Sequence, residues 1–282
     1  MTGLLAAGIV AHVPTLSRED ITPDFQRTLV EGERELGRKL RALKPDVWVV
    51  ISTHWVSTFN WFATCQPRHE GVCVADEAPD LIPGTPYRYT GDAEFAHALV
   101  AAWKSADIPA VPNETPHYAW DYGTFVPLSH LDPSAEIAVV GMPVVLMADL
   151  EECRRAGAAI HAVAARLGRK AVVLASSALS HALVRGRHHM PEPQRREADA
   201  RIIERLIAGD VNAVQAELPQ YAKSAVVEMG ARAIATMLGA AQALAAEGKP
   251  LRGRQFGGYA QSSGSGNANL ILTTDVSFAA LN

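Results

Sequence analysis

The sequence predicts an α/β protein, a three-layer sandwich around a mostly parallel central sheet, in one domain spanning residues 1–282. Two observations carry this. The run Val47-Trp48-Val49-Val50-Ile51 is apolar without alternation, as in a strand covered on both faces. Stretches with helical periodicity follow such runs repeatedly, and strand-helix alternation along a whole chain is the mark of layered α/β architecture.

In chain order, Leu4 to Val10 reads as a first strand, and Leu29 to Leu43, with Leu29, Leu36, Leu40 and Leu43 set among charges, as an amphipathic helix that Lys44-Pro45 ends. Asp46 to Ser52 is the clearest strand. From Ala63 to Pro86 the chain is broken by Pro67, Gly71, Pro79, Pro83, Gly84 and Pro86, which predicts an irregular flap beside a substrate. Asp92 to Ala106 reads as helix, Ala110 to Pro127 as irregular, and Glu136 to Val145 as strand. Leu150 to Leu167 is an alanine-rich helix and Ala171 to Ser176 a strand. Glu192 to Ile207 is a charged helix, whereas Ala222 to Ala246 is a nearly uncharged one that belongs in the interior or at a subunit interface. Asn267 to Asp275 closes the series as a strand.

A chain of 282 residues with 48% hydrophobic content needs no staple, because a domain of this size buries roughly 75% of its unfolded surface. The net charge of −4 and the lack of a long basic run argue against nucleic acid as a partner and favour a small molecule. Cys65, Cys73 and Cys153 form no CxxC pair, so neither a disulfide framework nor a thiolate zinc site is legible, and a reducing compartment is expected. Met1 to Val10 has no basic n-region, and no apolar run reaches the ~18 residues of a membrane span. A cytoplasmic protein without a membrane partner is the expectation.

Two histidines, His12 and His54, follow the first two strands directly, and open α/β sheets bind ligands beyond the carboxyl ends of their strands. Singly, each is an ordinary polar residue at a strand end. Together they are candidate metal ligands, since neighbouring strands would aim both imidazoles into one crevice. Pro14 stiffens the backbone after His12 by restricting Val13.

Glu228 is the third candidate. Its spacing to Arg232 is that of a helical i,i+4 ion pair, but the apolar residues around it, Ala225, Val226, Val227, Met229 and Ala231, imply a buried carboxylate that needs a cation. Two imidazoles and one carboxylate form the facial ligand set of mononuclear non-haem Fe(II). His181, after the strand Ala171 to Ser176, is a candidate acid-base group, and His117, Tyr118 and Tyr122 are candidate proton or hydrogen-bond donors in the second irregular segment.

The motifs His12-Val13-Pro14, Thr53-His54-Trp55, Glu70-Gly71-Val72, Asp121-Tyr122-Gly123-Thr124-Phe125-Val126-Pro127, Leu179-Ser180-His181, Leu218-Pro219-Gln220-Tyr221-Ala222 and Ser262-Ser263-Gly264-Ser265-Gly266 run through most of the chain. In their order and spacing they resemble the class III extradiol ring-cleavage dioxygenases, the family of the protocatechuate 4,5-dioxygenase β subunit, and most of all its homoprotocatechuate (3,4-dihydroxyphenylacetate) 2,3-dioxygenase branch. The resemblance implies Fe(II) held by His12, His54 and Glu228, with His181 as the acid-base histidine. It further implies an aromatic diol and O2 as substrates, with the ring opened next to the diol to a muconic semialdehyde. Tyr122 stands where many relatives have the histidine of an Asp-His-Gly motif, which leaves the general acid open between Tyr122 and His117. Ala182 stands where the branch tends to have an arginine, and the next basic residue is Arg185.

Ligand type separates zinc from iron only weakly, so a zinc hydrolase on the same His, His and Glu set remains an alternative, as does a non-enzymatic relative. A 2-aminophenol chelates as a catechol does and is the alternative substrate. A closed homo-oligomer is the default assembly expected.

Overall fold

The computed structural model describes residues 3–248, 250–275 and 278. Strand β1 (Gly3–Val10) passes through α1 (Arg27–Ala42) into β2 (Val47–Ser57), the predicted opening unit. The short β3 (Trp61–Thr64) precedes a hairpin of β4 (Arg68–Cys73) and β5 (Thr85–Thr90), then α2 (Ala93–Ser105) and β6 (Ala110–Asn113). The chain continues through α3 (Tyr122–Leu131), β7 (Ala138–Val145), α4 (Leu150–Leu167) and β8 (Lys170–Ser176). Helices α5 (Pro193–Ala208), α6 (Val211–Ser224) and α7 (Arg232–Ala245) and strands β9 (Arg252–Ser262) and β10 (Ser265–Thr273) complete it.

The central sheet has the order β7-β2-β8-β1-β10-β9. Its first four strands are mutually parallel, and β10 and β9 extend it as an antiparallel pair. Side chains of β2 alternate between two cores. Val47, Val49 and Ile51 join one with Phe95, Ile160, Ile202 and Leu238, whereas Trp48 and Val50 join the other with Leu36, Leu40 and Phe125. Helices therefore cover both faces, and this is why both sets of positions in β2 are apolar. Each fully buried Val or Ile there contributes roughly 1.5–3 kcal/mol.

The structure differs from the sequence expectation in four respects. The excursion at 63–86 is not wholly irregular: it holds the end of β3 and all of β4, so that only 74–84 remains a loop between β4 and β5. The sparse apolar side chains of β4, with His69 and Cys73 turned inward, gave no readable alternation. Within 110–127, β6 and the start of α3 are ordered, and Pro127 is accommodated inside α3. Strand β9 and helix α6 were not expected, because Gly253, Gly257 and Gly258 punctuate the one and Pro219 the other.

The fourth difference lies at the site itself. The stretch 222–246, expected as one helix, is the end of α6, a tight turn and α7. Val226, Met229 and Ala231 all adopt positive φ (53°, 47° and 64°), as does Gly230, so the helix cannot run through. The alanine-rich α4 and α7 pack on each other inside the chain, which removes them as a reason to expect a subunit contact. Among the described residues no helix is long and apolar enough to cross a membrane.

Candidate metal centre

His12, His54 and Glu228 come together at the carboxyl ends of β1 and β2, as the sheet order allows with only β8 between them. His12 follows β1 by two residues, and the amide before it is fixed by a 2.9 Å bond from Ala11 N–H to Asn269 Oδ1. His54 lies in a bulge of β2, where the pairing with β7 shifts register between Ser52 and Val56. Bulges re-aim a side chain at the rim of a sheet. Here the His54 amide donates to Ser52 Oγ (3.1 Å), and that hydroxyl donates to Asp121 (2.5 Å), the residue that caps α3. A side chain at Gly123 would collide with Ser52 Oγ and press on the His54 ring, so this position has no room for a Cβ.

The groups behind each ring set its tautomer. Ser176 Oγ–H donates to Gly123 O (2.5 Å), so toward His12 Nδ1, 3.0 Å away, it accepts, and the proton of that ring sits on Nδ1. His54 Nδ1 faces the Glu77 carboxylate oxygen Oε1 at 3.1 Å, which favours the tautomer that carries its proton on that nitrogen. Each ring therefore turns a bare Nε2 inward. The two Nε2 atoms are 3.1 Å apart, and Glu228 Oε1 is 3.4 Å from one and 3.6 Å from the other. Ligands held ~2.1 Å from one metal ion at angles between octahedral and tetrahedral lie about 3.0–3.5 Å apart. The donor set fits a divalent cation of that kind. Glu228 offers one oxygen to it, because Oε2 accepts the Ala178 amide at 2.6 Å.

Charge agrees with this geometry. Burial and the neighbouring His12 push His54 down to about 4, so its ring is neutral at pH 7. Burial alone would raise the Glu228 carboxyl, but His12, His181 and His54 outweigh it and draw it down to about 2. That lowering needs positive charge on the imidazoles; where both Nε2 atoms are bare, a bound cation supplies the charge in its place. Arg232 does not supply it. Its guanidinium donates to the carbonyls of Ala148, Met229 and Leu146, which braces the turn that presents Glu228.

A cavity of about 310 Å³ is lined by His12 and His54, the two rings that Glu228 Oε1 approaches. His181 lines it, with Nε2 3.8 Å from Glu228 Oε1, and burial lowers its pKa. Tyr122 also lines it, its ring centroid 3.9 Å from that of His54; burial and Glu77 hold the phenol protonated. His117 is not brought to the cavity: it is exposed in the segment before α3. Tyr118 packs against Trp55 instead, with ring centroids 4.7 Å apart and planes tilted by 43°.

Sequence reasoning missed two lining residues. Glu77 comes from the 74–84 loop and links His54 to Tyr122. Arg187 comes from the loop after His181 and stands in the wall with Ser262, Ser263 and Asn267. The signal for Arg187 was the basic cluster Arg185, Arg187, His188, His189, of which only Arg185 was weighed.

Comparison with known proteins identifies the family. The family described as "Catalytic LigB subunit of aromatic ring-opening dioxygenase" matches residues 6–261. The 3,4-dihydroxyphenylacetate 2,3-dioxygenase of Escherichia coli is 23% identical over 79% of this chain and 84% of its own length. The 2-aminophenol 1,6-dioxygenase beta subunit of a Pseudomonas species is 29% identical over 94% of this chain and 93% of its own. In fold, the crystal structure of an uncharacterized protein from Escherichia coli K12 superposes with a TM-score of 0.68 at 18% identity, covering 95% of this chain and 99% of the other. The match from β1 to β9, with the two imidazoles and the carboxylate inside it, means that the chain belongs to the LigB family of aromatic ring-opening dioxygenases.

Proposed function

We propose that the protein binds Fe(II) through His12 Nε2, His54 Nε2 and Glu228 Oε1 and cleaves a catechol-type ring next to its two oxygens, incorporating both atoms of O2 to give a muconic semialdehyde. The observation that carries this reading is the convergence of the three donor atoms beside a cavity that His12, His54 and His181 line. Bound Fe(II) would supply a Lewis-acid centre for both substrate oxygens and an electron path between the ring and dioxygen.

The residues of the chain divide the remaining work. His181, held neutral by burial, accepts a proton from a phenolic oxygen of the substrate. Tyr122 keeps its proton and offers a donor at the opposite wall; with His117 exposed, Tyr122 is the general acid we favour. Val13, Leu81 and Leu183 form the apolar part of the cavity that excludes water from the ring.

The substrate we favour is 3,4-dihydroxyphenylacetate or a related catechol with an acidic substituent, because Arg187 is the one Lys or Arg in the cavity wall among the described residues. A 2-aminophenol is the second reading, favoured by the similarity to the Pseudomonas subunit over 94% of the chain. We also propose a cytoplasmic protein, in keeping with three free, buried cysteines, and a homo-oligomer, for which the exposed Phe59 and Met147 on adjoining turns are available.

The test is oxygen uptake by protein loaded anaerobically with Fe(II) or, separately, Zn(II), with 3,4-dihydroxyphenylacetate, catechol and 2-aminophenol in turn. Uptake with iron alone and a coloured ring-opened product is expected. Hydrolytic activity of the zinc form without oxygen uptake by the iron form would overturn the reading.

A further inference from the structure

The His181 ring makes no hydrogen bond among the described residues; the carboxylate nearest it is that of Glu228, at 3.8 Å from Nε2 to Oε1. Its orientation is therefore inherited from the backbone that carries it. Every amide from 178 to 181 is committed: Ala178 N–H to Glu228 Oε2 (2.6 Å), Leu179 N–H to Gly266 O (2.8 Å), Ser180 N–H to Asp199 Oδ1 (3.1 Å) and His181 N–H to Val226 O (3.0 Å). Ser180 Oγ–H adds a second bond to Asp199, at Oδ2 (2.6 Å).

Asp199, on α5, is fully buried. Besides the two bonds from Ser180 it accepts Tyr221 Oη–H from α6 at 2.7 Å and Tyr259 Oη–H from β9 at 2.6 Å. Four donors on two oxygens leave no lone-pair direction slack, and such a saturated buried group specifies one geometry. The ordinary account is that Asp199 merely ties α5, α6 and β9 together. Two facts go beyond it. Half of its bonds go to the residue adjoining His181, and Gly266, which pairs with both Leu179 and Ser180, lies so close that a Cβ there would strike Asp199 Oδ2 and Tyr259 Oη.

We propose that Asp199 is a positioning residue for the reaction, acting through Ser180 to fix the direction of the His181 ring, and this rests on His181 being the base in the reading above. Asp199 touches neither metal nor substrate. Its carboxylate clamps the strand end so that Nε2 of His181 meets the phenolic proton rather than the metal ligands.

The test is the Asp199→Asn variant, which replaces one accepting oxygen with a donor. Oxygen uptake by the iron-loaded enzyme should show kcat down ~10- to 100-fold, the range for a slightly misdirected catalytic group, with KM for the aromatic substrate and bound metal unchanged. In metal-free protein with carbon-13-labelled histidine, the ring resonance missing from His181→Gln should shift or broaden in Asp199→Asn, while those of His12 and His54 stay in place. Ser180→Ala should reproduce both effects and carries the test if Asp199→Asn does not fold. Tyr221→Phe, which removes one of the four donors but leaves both Ser180 bonds intact, should lower kcat less than Asp199→Asn or Ser180→Ala does. A lower melting temperature with unchanged kcat and an unmoved His181 resonance in Asp199→Asn would overturn the proposal. If the wild-type enzyme cleaves no ring at all, the proposed function fails, and the resonance still decides whether Asp199 directs His181.

Discussion

Glu33 on α1 and Glu228 in the turn before α7 are both carboxylates sealed from solvent, and their surroundings set them in opposite charge states. Around Glu228 three imidazoles overcome the cost of burial and hold the carboxyl down at about 2. Around Glu33 burial acts almost alone, opposed only by Arg34, and pushes the carboxyl well above its ordinary range; neither oxygen has a hydrogen-bond partner. Burial of an acid is thus no sign of a site by itself. What marks the site is the convergence of other donor atoms on the carboxylate.

The largest effect should come from removing the charge that the donors converge on. Glu228→Ala should lose both bound metal and turnover, whereas His181→Ala should keep stoichiometric iron and lose ~10²- to 10⁴-fold in kcat, as for a general base. Iron content and oxygen uptake measured on the same preparations check this, and equal loss of iron in the two variants would break the distinction between ligand and base.

A smaller effect is expected at the mouth of the same cavity, where the charge awaiting a partner is positive. Arg187→Ala should lower kcat/KM for 3,4-dihydroxyphenylacetate ~10- to 100-fold, the worth of one charge-assisted hydrogen bond, and leave catechol, which has no carboxylate, nearly unaffected. Steady-state kinetics with the two substrates is the measurement. A parallel loss for both would mean that Arg187 holds the loop rather than reads the substrate.

How far these groups were legible in the sequence follows from what fixes each of them. His12 and His54 were readable because continuous apolar strands announce where they end, and parallel sheets put ligands there. Glu228 was readable as a buried carboxylate from its apolar neighbours, but not its element: the break rests on positive φ at Val226, Met229 and Ala231, none a residue that advertises a left-handed turn. Its apparent partner Arg232 turned out to serve three carbonyls. Arg187, Glu77 and Asp199 were not singled out because each reaches its target through a loop or a long-range contact that no local period encodes. Glu33 did leave a trace: its spacing from Leu29, Leu36 and Leu40 puts it on the apolar stripe of α1, though Glu31, Arg34 and Glu35 make the segment look like a solvent face.

The smallest predicted effect is also the sharpest test of the comparison. Because folding raises the Glu33 pKa, the folded state binds this proton more tightly than the unfolded chain, so stability is highest below the ordinary value of 4.5 and falls as pH rises toward the raised one. Glu33→Gln removes the titration. Urea unfolding at pH 5 and pH 8 should show the variant level with the wild type at the lower pH and more stable by about 1–2 kcal/mol at the higher, the scale of relieving one uncompensated buried group. A variant less stable at pH 8 would mean that Glu33 meets a cation after all. The contrast with Glu228 would then be one of partner identity rather than of partnered against unpartnered charge.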